Sequence, residues 1–235
     1  MVFILGIIPA RGGSKGIPDK NIIPISGKPL VAYSIEAAKR SRRLNDIILS
    51  TDSEKIAKCA EKFGLKCESM RPAELATDNA KTVDVVIYEV LEYEKKHNLT
   101  VDFIVLLQPT APFRTSSDID NAVDLFLSRN GESLISVCEV GADHPLVMYY
   151  LNNGCLTPIL EEGKTMRRRQ EFNPVYLRNG ALYIVSRSLV FNQHTFVNEK
   201  PLAFVMPETR SVNIDAPIDI RIAEYLISLE KNDVS

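Results

Sequence analysis

The sequence predicts an α/β fold with a mostly parallel sheet and helices on both faces. Strand-like apolar runs alternate with helix-like segments over roughly the first 140 residues, which is the pattern of βαβ units. A loop rich in glycine and basic residues follows the first of these runs, and α/β sheets bind their ligands at such positions. The 235 residues suit one domain with an insertion.

The chain begins in the order strand, loop, helix, strand, helix. Residues 2–8 have the length and the Val, Ile and Phe content of a buried strand. A first helix is predicted to start near 27–29, and residues 47–50 form the next strand. Residues 51–53 supply caps for a second helix, which ends at Gly64. This is the rhythm of a βαβ unit.

The middle of the chain continues the alternation. Residues 65–68 suggest an edge strand, and a long helix follows after a polar loop. Residues 103–107 are the most hydrophobic strand candidate, which predicts a central position covered on both sides. Ser117 with Asp120 makes a capping-box pattern for the next helix. A further strand is predicted at 134–138.

The alternation stops at Glu139, and residues 139–178 are predicted to form an inserted arm. Within it, Asn153 and Gly154 separate two apolar runs, which is a hairpin signal. Such an insertion either contacts another subunit or packs on its own subunit. The chain then returns to two strands and a closing helix, at 181–185, 202–205 and 216–229. We therefore predict a single domain spanning 1–235.

Composition excludes several classes of protein. The formal net charge is -2, with 45% hydrophobic and 25% charged residues, so no nucleic-acid-binding surface is indicated. No apolar run reaches the roughly 18 residues of a membrane helix, and the N-terminus lacks the basic segment of a signal peptide. We therefore expect a cytoplasmic protein without a membrane partner. The four cysteines and three histidines are too scattered for a zinc or redox site.

The loop 7–21, called the glycine-basic loop below, is the first candidate binding site. It combines three glycines with three cations, at Gly12, Gly13, Gly16, Arg11, Lys15 and Lys20. Glycine lets backbone N–H groups approach an anion, and the cations neutralise its charge, so a polyphosphate is the expected ligand. The spacing matches neither the P-loop nor the dinucleotide fingerprint. A flexible surface turn is the alternative interpretation.

Three further polar loops are expected to meet the glycine-basic loop at one edge of the sheet, at 71–82, 108–114 and 211–219. Together they offer cations, amides and hydroxyls with few carboxylates. That set suits phosphoryl or nucleotidyl transfer, where positioning and charge neutralisation dominate. Acyl transfer is not indicated, because the sequence has no nucleophile elbow and no cysteine near a histidine.

Asn213 and Asp215 have two interpretations. Their alternation places both side chains on one face of an extended strand end, where they could bind Mg²⁺ together with phosphate oxygens. Alternatively, Asp215 is the N-cap of the last helix, with Pro217 in its first turn. Spacing alone does not separate the two.

The basic run 167–169 is also open to two interpretations. A bare run of arginines is usually a solvated charged surface. With Gln170 and the nearby segment 178–180, however, Arg169 can form a donor pair for an acidic co-substrate. His144 is predicted to be a structural residue of a turn rather than a base.

Several motifs occur in order along nearly the whole chain, at 8–21 (IPARGGSKGIPDKN), 50–52 (STD), 71–76 (RPAELA), 106–110 (LLQPT), 112–114 (PFR), 144–146 (HPL), 178–181 (RNGA) and 211–215 (SVNID). In combination they resemble the acylneuraminate cytidylyltransferases, or CMP-sialic acid synthetases. The resemblance implies a Rossmann-like nucleotidyltransferase fold and a homodimer in which the arm reaches the partner's site. It also implies the reaction of CTP with a nine-carbon 2-keto sugar acid, with Mg²⁺, to give the CMP-sugar and pyrophosphate.

The resemblance also implies roles for single residues, motif by motif. The catalytic residues would be Arg11, Lys15 and Lys20. Binding of CTP would involve Ala10, Arg11, Gly12, Gly13, Asn21, Arg71 and Thr82, the last two at the cytidine. The sugar acid would be bound by Gln108, Arg169 and Gln170, and the metal by Asp215 with Asn213.

Two positions depart from the pattern of the family. Asn213 stands where many members have Asp, and Val147 stands where some sialate-using members have Lys. The acid is therefore open between N-acetylneuraminate and legionaminic or pseudaminic acid. Two rival functions are a nucleotidyltransferase for another nucleotide and a nucleotide-binding regulator without turnover.

Overall fold

The computed structural model describes residues 2–14, 16–165 and 172–232 of the chain. Numbered in chain order, the strands are β1 (Ile4–Pro9), β2 (Pro24–Ile25), β3 (Lys28–Pro29), β4 (Asp46–Ser50), β5 (Phe103–Leu106), β6 (Ser133–Glu139), β7 (Tyr149–Asn152), β8 (Cys155–Pro158), β9 (Tyr176–Ser186) and β10 (Leu202–Val205). The helices are α1 (Leu30–Arg40), α2 (Glu54–Lys62), α3 (Thr82–His97), α4 (Ser116–Ser128), α5 (Arg187–Gln193) and α6 (Pro217–Asn232).

Six strands form the central sheet, in the order β10-β6-β9-β5-β1-β4. β1 pairs in parallel with β4 and β5, and β10 pairs in parallel with β6. β9 runs antiparallel to both of its neighbours, β5 and β6. The predicted α/β class and the central position of β5 are confirmed. The antiparallel strand is the one by which the chain returns from the arm.

Helices cover both faces of this sheet. On one face, α1, α2 and α4 contribute Ile35, Ala60 and Phe126 to a buried cluster. On the other face, α3 and α5 pack through a second cluster that includes Val90 and Leu189. β1 contributes to both clusters because successive side chains of a strand point to opposite faces. Among the described residues, no helix combines the length and apolarity needed to cross a membrane.

A third buried cluster fixes the position of the glycine-basic loop. Ile17, from the loop itself, is 4% exposed. It packs with Leu30 of α1, Ala223 of α6 and Ile214. The loop is therefore anchored to the core by an apolar side chain. The segment that precedes α6, which contains Ile214, packs on the same cluster. This anchoring argues against the flexible-turn interpretation.

The predicted edge strand at 65–68 is wrong. Within this segment the Leu65 N–H donates to Ala60 O at 3.2 Å, which closes the end of α2. Gly64 has a positive φ of 75° at that point, as expected for a helix C-terminus. The start of this segment therefore terminates α2 instead of pairing with the sheet, and β4 is the edge strand of the central sheet.

The capping box of α4 lies two residues before the predicted position. Thr115 and Asp118 exchange the side-chain and backbone hydrogen bonds of the motif. Asp120, predicted together with Ser117 to form the box, instead accepts a hydrogen bond from Ser41 Oγ at 2.6 Å. Its carboxylate therefore ties α4 to the end of α1.

The arm begins and ends on neighbouring strands of the sheet. The Val140 N–H donates to Val175 O at 2.9 Å, just beyond the last pairing of β6 with β9. Further out, β7 and β8 pair as an antiparallel hairpin. Its turn residues Asn153 and Gly154 have φ values of 50° and 81°, as a type I′ turn requires. The predicted hairpin is confirmed.

Candidate active site

A cleft of about 500 Å³ lies at the carboxyl ends of β1 and β5. All four polar loops contribute side chains to it, which confirms their predicted convergence. The lining residues from these loops are Pro9, Arg11, Ser14, Gly16, Lys20 and Asn21; Arg71, Leu75, Thr77, Asp78, Ala80 and Thr82; Gln108, Pro109 and Thr110; and Asp215.

The cleft is lined by seven of the fourteen residues that sequence reasoning selected. Those that line it are Arg11, Lys20, Asn21, Arg71, Thr82, Gln108 and Asp215. Those that the structure places behind or beside this lining are Ala10, Gly12, Gly13 and Asn213. Those that lie outside the described residues are Lys15, Arg169 and Gln170, together with the rest of the basic run.

The glycine-basic loop is held by hydrogen bonds to β4 and to itself. The Ala10 N–H donates to Ser50 O at 2.9 Å, which extends the pairing of β1 with β4. The Gly12 N–H donates to Asp52 Oδ1 at 2.8 Å. Asn21, which is buried, donates from Nδ2 to Arg11 O at 2.8 Å and closes the loop. These bonds fix the backbone of the loop, while its side chains Arg11 and Lys20 line the cleft and can contact a ligand.

Two cations of the cleft pair with carboxylates from other loops. Arg11 Nη1 lies 2.7 Å from Asp78 Oδ1, and Lys20 Nζ lies 3.0 Å from Asp215 Oδ1. The carboxylates are partly exposed, with side-chain accessibilities of 38% and 64%. Pairs exposed to this degree contribute little to stability. A polyphosphate that carries more charge than a carboxylate can therefore displace these partners.

Arg71 is the buried cation of the cleft. Its Nε donates to Ser50 Oγ at 2.9 Å and its Nη2 to Ser50 O at 2.8 Å. Burial lowers the pKa of the guanidinium, while the nearby carboxylates of Glu89 and Asp52 act to raise this pKa. Thr82 lies across the cleft as the first residue of α3. The N-terminus of this helix favours negative charge.

A second cavity, of about 370 Å³, continues from the cleft and shares Thr82 and Gln108 with it. Arg178 lines this cavity, together with Tyr183 and Phe196, whose ring centroids lie 6.4 Å apart. A guanidinium beside aromatic walls suits a carboxylate carried on a ring-shaped ligand. We call this region the second cavity below.

Gln108 is placed by two neighbouring features of the fold. Arg114, 3% exposed, donates from Nη1 to the backbone carbonyls of Gln108 and Ala181, and from Nη2 to Ser34 Oγ. Burial lowers the Arg114 pKa to about 10. Gly180 has a φ of 69°, and a Cβ built on it would lie 2.9 Å from Gln108 Oε1. Gly180 of β9 therefore leaves room for the side chain of Gln108.

Asn213 and Asp215 form a small oxygen-rich group beside Lys20. Asn213 Nδ2 donates to Asp215 Oδ2, and Asn213 Oδ1 is buried without a hydrogen-bond partner in the described part of the chain. The N-cap interpretation of Asp215 is wrong. Asp219 accepts the backbone N–H groups of Asp215 and Ala216, at 2.8 and 2.7 Å, ahead of α6. The Asp215 carboxylate is therefore directed to Lys20 and the cleft.

His144 is a structural residue, as predicted. It is buried, accepts the Leu146 N–H at Nδ1 and makes a 3.1 Å hydrogen bond through Nε2 to Asn173 O. Its ring packs at 4.7 Å against the ring of Phe172. Both ring nitrogens are thus used to hold the root of the arm together.

Three acidic residues near the cleft were not selected by sequence reasoning. Asp78 pairs with Arg11, Asp52 accepts from Gly12, and Glu89 is buried behind Arg71. Asp52 could have been selected from the sequence, because it belongs to a motif that follows a strand. Glu89 could also have been selected, since it lies three residues after Val86 and four before Tyr93 on the buried face of α3. Asp78 could not, because its partner is distant in the chain.

Comparison with known proteins identifies the family. The sequence model of the family described as cytidylyltransferase matches residues 5–197. The chain belongs to the cytidylyltransferase family. A CMP-N,N'-diacetyllegionaminic acid synthase of Legionella pneumophila is 34% identical over 231 residues, covering 97% of each chain. A pseudaminic acid cytidylyltransferase of Campylobacter jejuni is 32% identical over 229 residues, covering 94% of this chain and 95% of the relative.

A longer relative and two solved structures extend the comparison. An N-acylneuraminate cytidylyltransferase of Streptococcus agalactiae is 33% identical over 91% of this chain, which matches 50% of that relative. The structure of a CMP:2-keto-3-deoxy-manno-octonic acid synthetase complexed with CTP superposes with a TM-score of 0.70 at 17% identity, covering 97% of this cytidylyltransferase and 99% of that chain. A 4-diphosphocytidyl-2C-methyl-D-erythritol synthase gives a TM-score of 0.67 at 12% identity, with 97% and 100% covered. These structures share the fold.

Proposed function

We propose that this cytidylyltransferase transfers CMP from CTP to the anomeric hydroxyl of a nonulosonic acid, a sialic-type nine-carbon sugar acid, and releases pyrophosphate. The supporting observation is that one cleft collects Arg11, Lys20, Arg71 and Gln108 from separate loops and continues into the second cavity. Three relatives whose names specify CMP-sugar or cytidylyl transfer are 32–34% identical to the chain. Together, two connected cavities match a reaction with two substrates.

The reaction requires charge neutralisation more than covalent chemistry. The anomeric oxygen attacks the α-phosphorus, the bond from that phosphorus to the bridging oxygen breaks, and pyrophosphate leaves with the electron pair. The hydroxyl proton is released. Arg11 and Lys20 are placed to exchange their carboxylate partners for the triphosphate and to stabilise its developing charge. Arg71 and Thr82 line the part of the cleft that takes the nucleoside, and Arg178 lines the cavity that takes the carboxylate of the acid.

Mg²⁺ is part of this proposal. The donor set fits a hard cation that keeps several water and phosphate ligands, because Asp215 offers a carboxylate and Asn213 an amide oxygen that is buried without a partner. Among the described residues, no cluster of three or more His, Cys, Asp or Glu side chains could hold a metal by itself. Asp215 and Asn213 would hold Mg²⁺, which would supply further charge neutralisation.

The acid is proposed to be legionaminic acid, pseudaminic acid or N-acetylneuraminate, with the first two favoured by Val147. This residue is 50% exposed at the base of the hairpin, and some sialate-using members have Lys there. An apolar residue at this position suits a less polar sugar.

The decisive experiment incubates the protein with CTP, Mg²⁺ and each of the three acids separately, and follows the CMP-sugar by mass spectrometry. CMP-sugar is expected with at least one acid, and no product is expected with UTP or GTP in place of CTP. Product with UTP or GTP would indicate the rival nucleotidyltransferase. Binding of CTP without pyrophosphate release, whichever acid is present, would indicate the regulator.

The homodimer belongs to the proposal, with the arm as its contact. The arm and the start of β9 expose large apolar side chains, at Tyr150, Leu151, Leu156 and Leu177, which are 58–70% exposed. Leu151 and Leu156 face each other across the hairpin, and exposed apolar side chains grouped in this way mark interaction sites.

Sedimentation equilibrium tests the dimer. The double variant Leu151→Asp, Leu156→Asp is expected to shift the protein to monomer and to lower turnover. Tyr225→Asp, which changes a side chain 63% exposed on α6, serves as the matched control and should remain dimeric. A wild-type protein that is monomeric at full activity would contradict this part of the proposal.

A further inference from the structure

The guanidinium of Arg71 is oriented by a single residue of β4. Nε and Nη2 both bond to Ser50, and the Arg71 N–H donates to the neighbouring Thr51 O at 2.8 Å. Nη1 makes no hydrogen bond to the described residues, so it is the part of the guanidinium that remains for a ligand. The direction of Nη1 therefore depends on how firmly Ser50 is held.

The Ser50 hydroxyl has a fixed direction as well. It is fully buried, and its oxygen accepts from Arg71 Nε, which can only donate. The hydroxyl hydrogen is then available for an acceptor. Glu89 of α3 lines a cavity together with Ile48 and Leu49 of β4, and its carboxylate lies close enough to Ser50 to be that acceptor. Arg71, Ser50 and Glu89 are therefore placed to form a chain of donors.

Glu89 lies in an environment that is unfavourable for a carboxylate. It is 4% exposed, and its Oε1 has no hydrogen-bond partner among the residues that the structure describes. Burial raises the pKa of Glu89, while the hydrogen bond with Ser50 and the charge of Arg71 act in the opposite direction. A buried carboxylate with an unpaired oxygen opposes folding. Its presence behind the cleft therefore points to a role in the site.

We propose that Glu89 is a positioning residue for the nucleotide. Acting through Ser50, it holds the guanidinium of Arg71 so that Nη1 faces the nucleoside of CTP. The inference rests on the proposed function, which places the cytidine at Arg71. Without an anionic acceptor behind it, the Ser50 hydroxyl is free to turn. The bond from Arg71 Nε then weakens, and the guanidinium is held only by the Nη2 bond to Ser50 O.

The test compares Glu89→Gln with Glu92→Gln. The first variant keeps the shape and an acceptor oxygen but removes the charge. The second removes one charge from an exposed position on the same helix. Binding of CTP is measured by calorimetry without any acid, so the result does not depend on turnover.

Glu89→Gln is expected to weaken CTP binding roughly tenfold, because a charge-assisted hydrogen-bond chain is replaced by a neutral one. Glu92→Gln should bind CTP within about twofold of wild type. Inorganic tripolyphosphate, which reaches the phosphate side alone, should compete equally well in all three proteins. In turnover, the KM for CTP should rise while kcat changes little.

Two further readouts separate positioning from a structural role. Because Glu89 has a raised pKa in the folded state, its contribution to stability is present at low pH and lost as pH rises through that pKa. Glu89→Gln should therefore unfold at the same or a higher temperature than wild type at neutral pH. The CTP affinity of wild type should fall on acidification through the Glu89 pKa, and that of the variant should fall less.

The charged and titratable groups around Glu89 lie on three parts of the chain, and some line a cavity of about 340 Å³ that adjoins it. They are Arg71, Glu92, Cys67, Glu68, Tyr93, Lys95 and Lys96. All of these groups are present in both wild type and Glu89→Gln. Comparing the pH dependence of CTP binding between these two proteins therefore isolates the contribution of Glu89.

Three outcomes would decide against the inference. Equal CTP affinity in Glu89→Gln and wild type would remove the positioning role. Loss of affinity in parallel with loss of thermal stability would make Glu89 structural. Equal weakening in Glu92→Gln would assign the effect to general charge. If wild type itself fails to bind CTP, the proposed function fails first.

Discussion

The two ends of the cleft are built in different ways. At the proposed nucleotide end, the contacts converge on Ser50 at the end of β4. The Ala10 N–H donates to its carbonyl where β1 pairs with β4, and the Arg71 side chain donates from a loop to its carbonyl and hydroxyl. At the proposed acid end, Gln108 and Arg178 face a cavity between strands and loops, and the arm starts nearby. Parallel strands at fixed spacing hold the nucleotide end in place. The proposed acid end depends on side chains of the loop after β5 and of β9, at the root of the arm.

This difference separates what is general from what is specific in the site. The relatives have names that share the cytidylyl or CMP group and differ in the acid. A nucleotide end built on the sheet cannot change without disturbing the core. An acid end that depends on a few cavity-lining side chains can change by substitution. Variants of the two ends should therefore fail in different ways.

The largest effect is expected from Arg11→Ala. Loss of one charge-stabilising donor typically lowers turnover by about 10²–10³-fold, and the effect should be the same with every acid. The protein should stay folded, because the Arg11 side chain is 35% exposed and its pair with Asp78 is partly solvated. Turnover with CTP and thermal unfolding are the measurements.

Arg43→Ala is the matched control for Arg11. Arg43 also pairs with an aspartate, Asp124, at 2.8 Å and with similar exposure, but it lies on the surface between α1 and α4. Near wild-type turnover in Arg11→Ala, or an equal loss in Arg43→Ala, would remove Arg11 from the site.

Arg178→Lys should damage the acid end alone. Lysine keeps the charge but loses the two-pronged geometry that matches a carboxylate. The KM for the acid is expected to rise about tenfold, while the KM for CTP stays within about twofold of wild type. Initial-rate measurements with each substrate varied in turn check this split. A rise confined to CTP would reverse the assignment of the two cavities.

Gly180→Ala is expected to have a smaller effect at the same end. The added Cβ would lie 2.9 Å from Gln108 Oε1, the far end of a flexible side chain, so the glutamine should move aside. The KM for the acid should rise about threefold to fivefold.

Gly27→Ala isolates the backbone cost of this change. Gly27 also has a positive φ, 82°, but nothing lies within 4 Å of the added Cβ. Both variants should lose about 1 kcal/mol of unfolding free energy. A rise in the acid KM for Gly27→Ala would show that backbone strain, rather than displacement of Gln108, is responsible.

The smallest effect is expected from Asn213→Asp, which places a second carboxylate beside Asp215. Divalent cations bind more tightly as ligand charge increases, so the Mg²⁺ concentration for half-maximal turnover should fall about threefold. Without Mg²⁺ the two like charges should repel and lower thermal stability. Asn130→Asp, at a surface turn with φ of 47°, provides the control. An unchanged Mg²⁺ requirement would remove Asn213 from the metal site.

Local patterns explain how much of this could be predicted from the sequence. Buried strands and the glycine-basic loop are recognised from the spacing of apolar residues, from composition and from glycine and proline at their ends, all of which lie within a few residues of each other. The capping box was misplaced because several residues near the start of α4 can serve as its cap, and Asp120 was bound elsewhere by Ser41. The pairing of Arg11 with Asp78 was not predictable, since it joins loops 67 residues apart whose meeting depends on the whole sheet.

The attachment of the arm has a consequence for how this protein can diversify. Glu139 and Tyr176 face each other on hydrogen-bonded strands, so the sheet itself holds the two ends of the insertion together. Doubling the length of such a loop then costs only about 0.6 kcal/mol of closure entropy. The arm can therefore behave as an exchangeable cassette: a relative's arm grafted between these two positions should fold on this sheet and transfer its donor's preference for an acid.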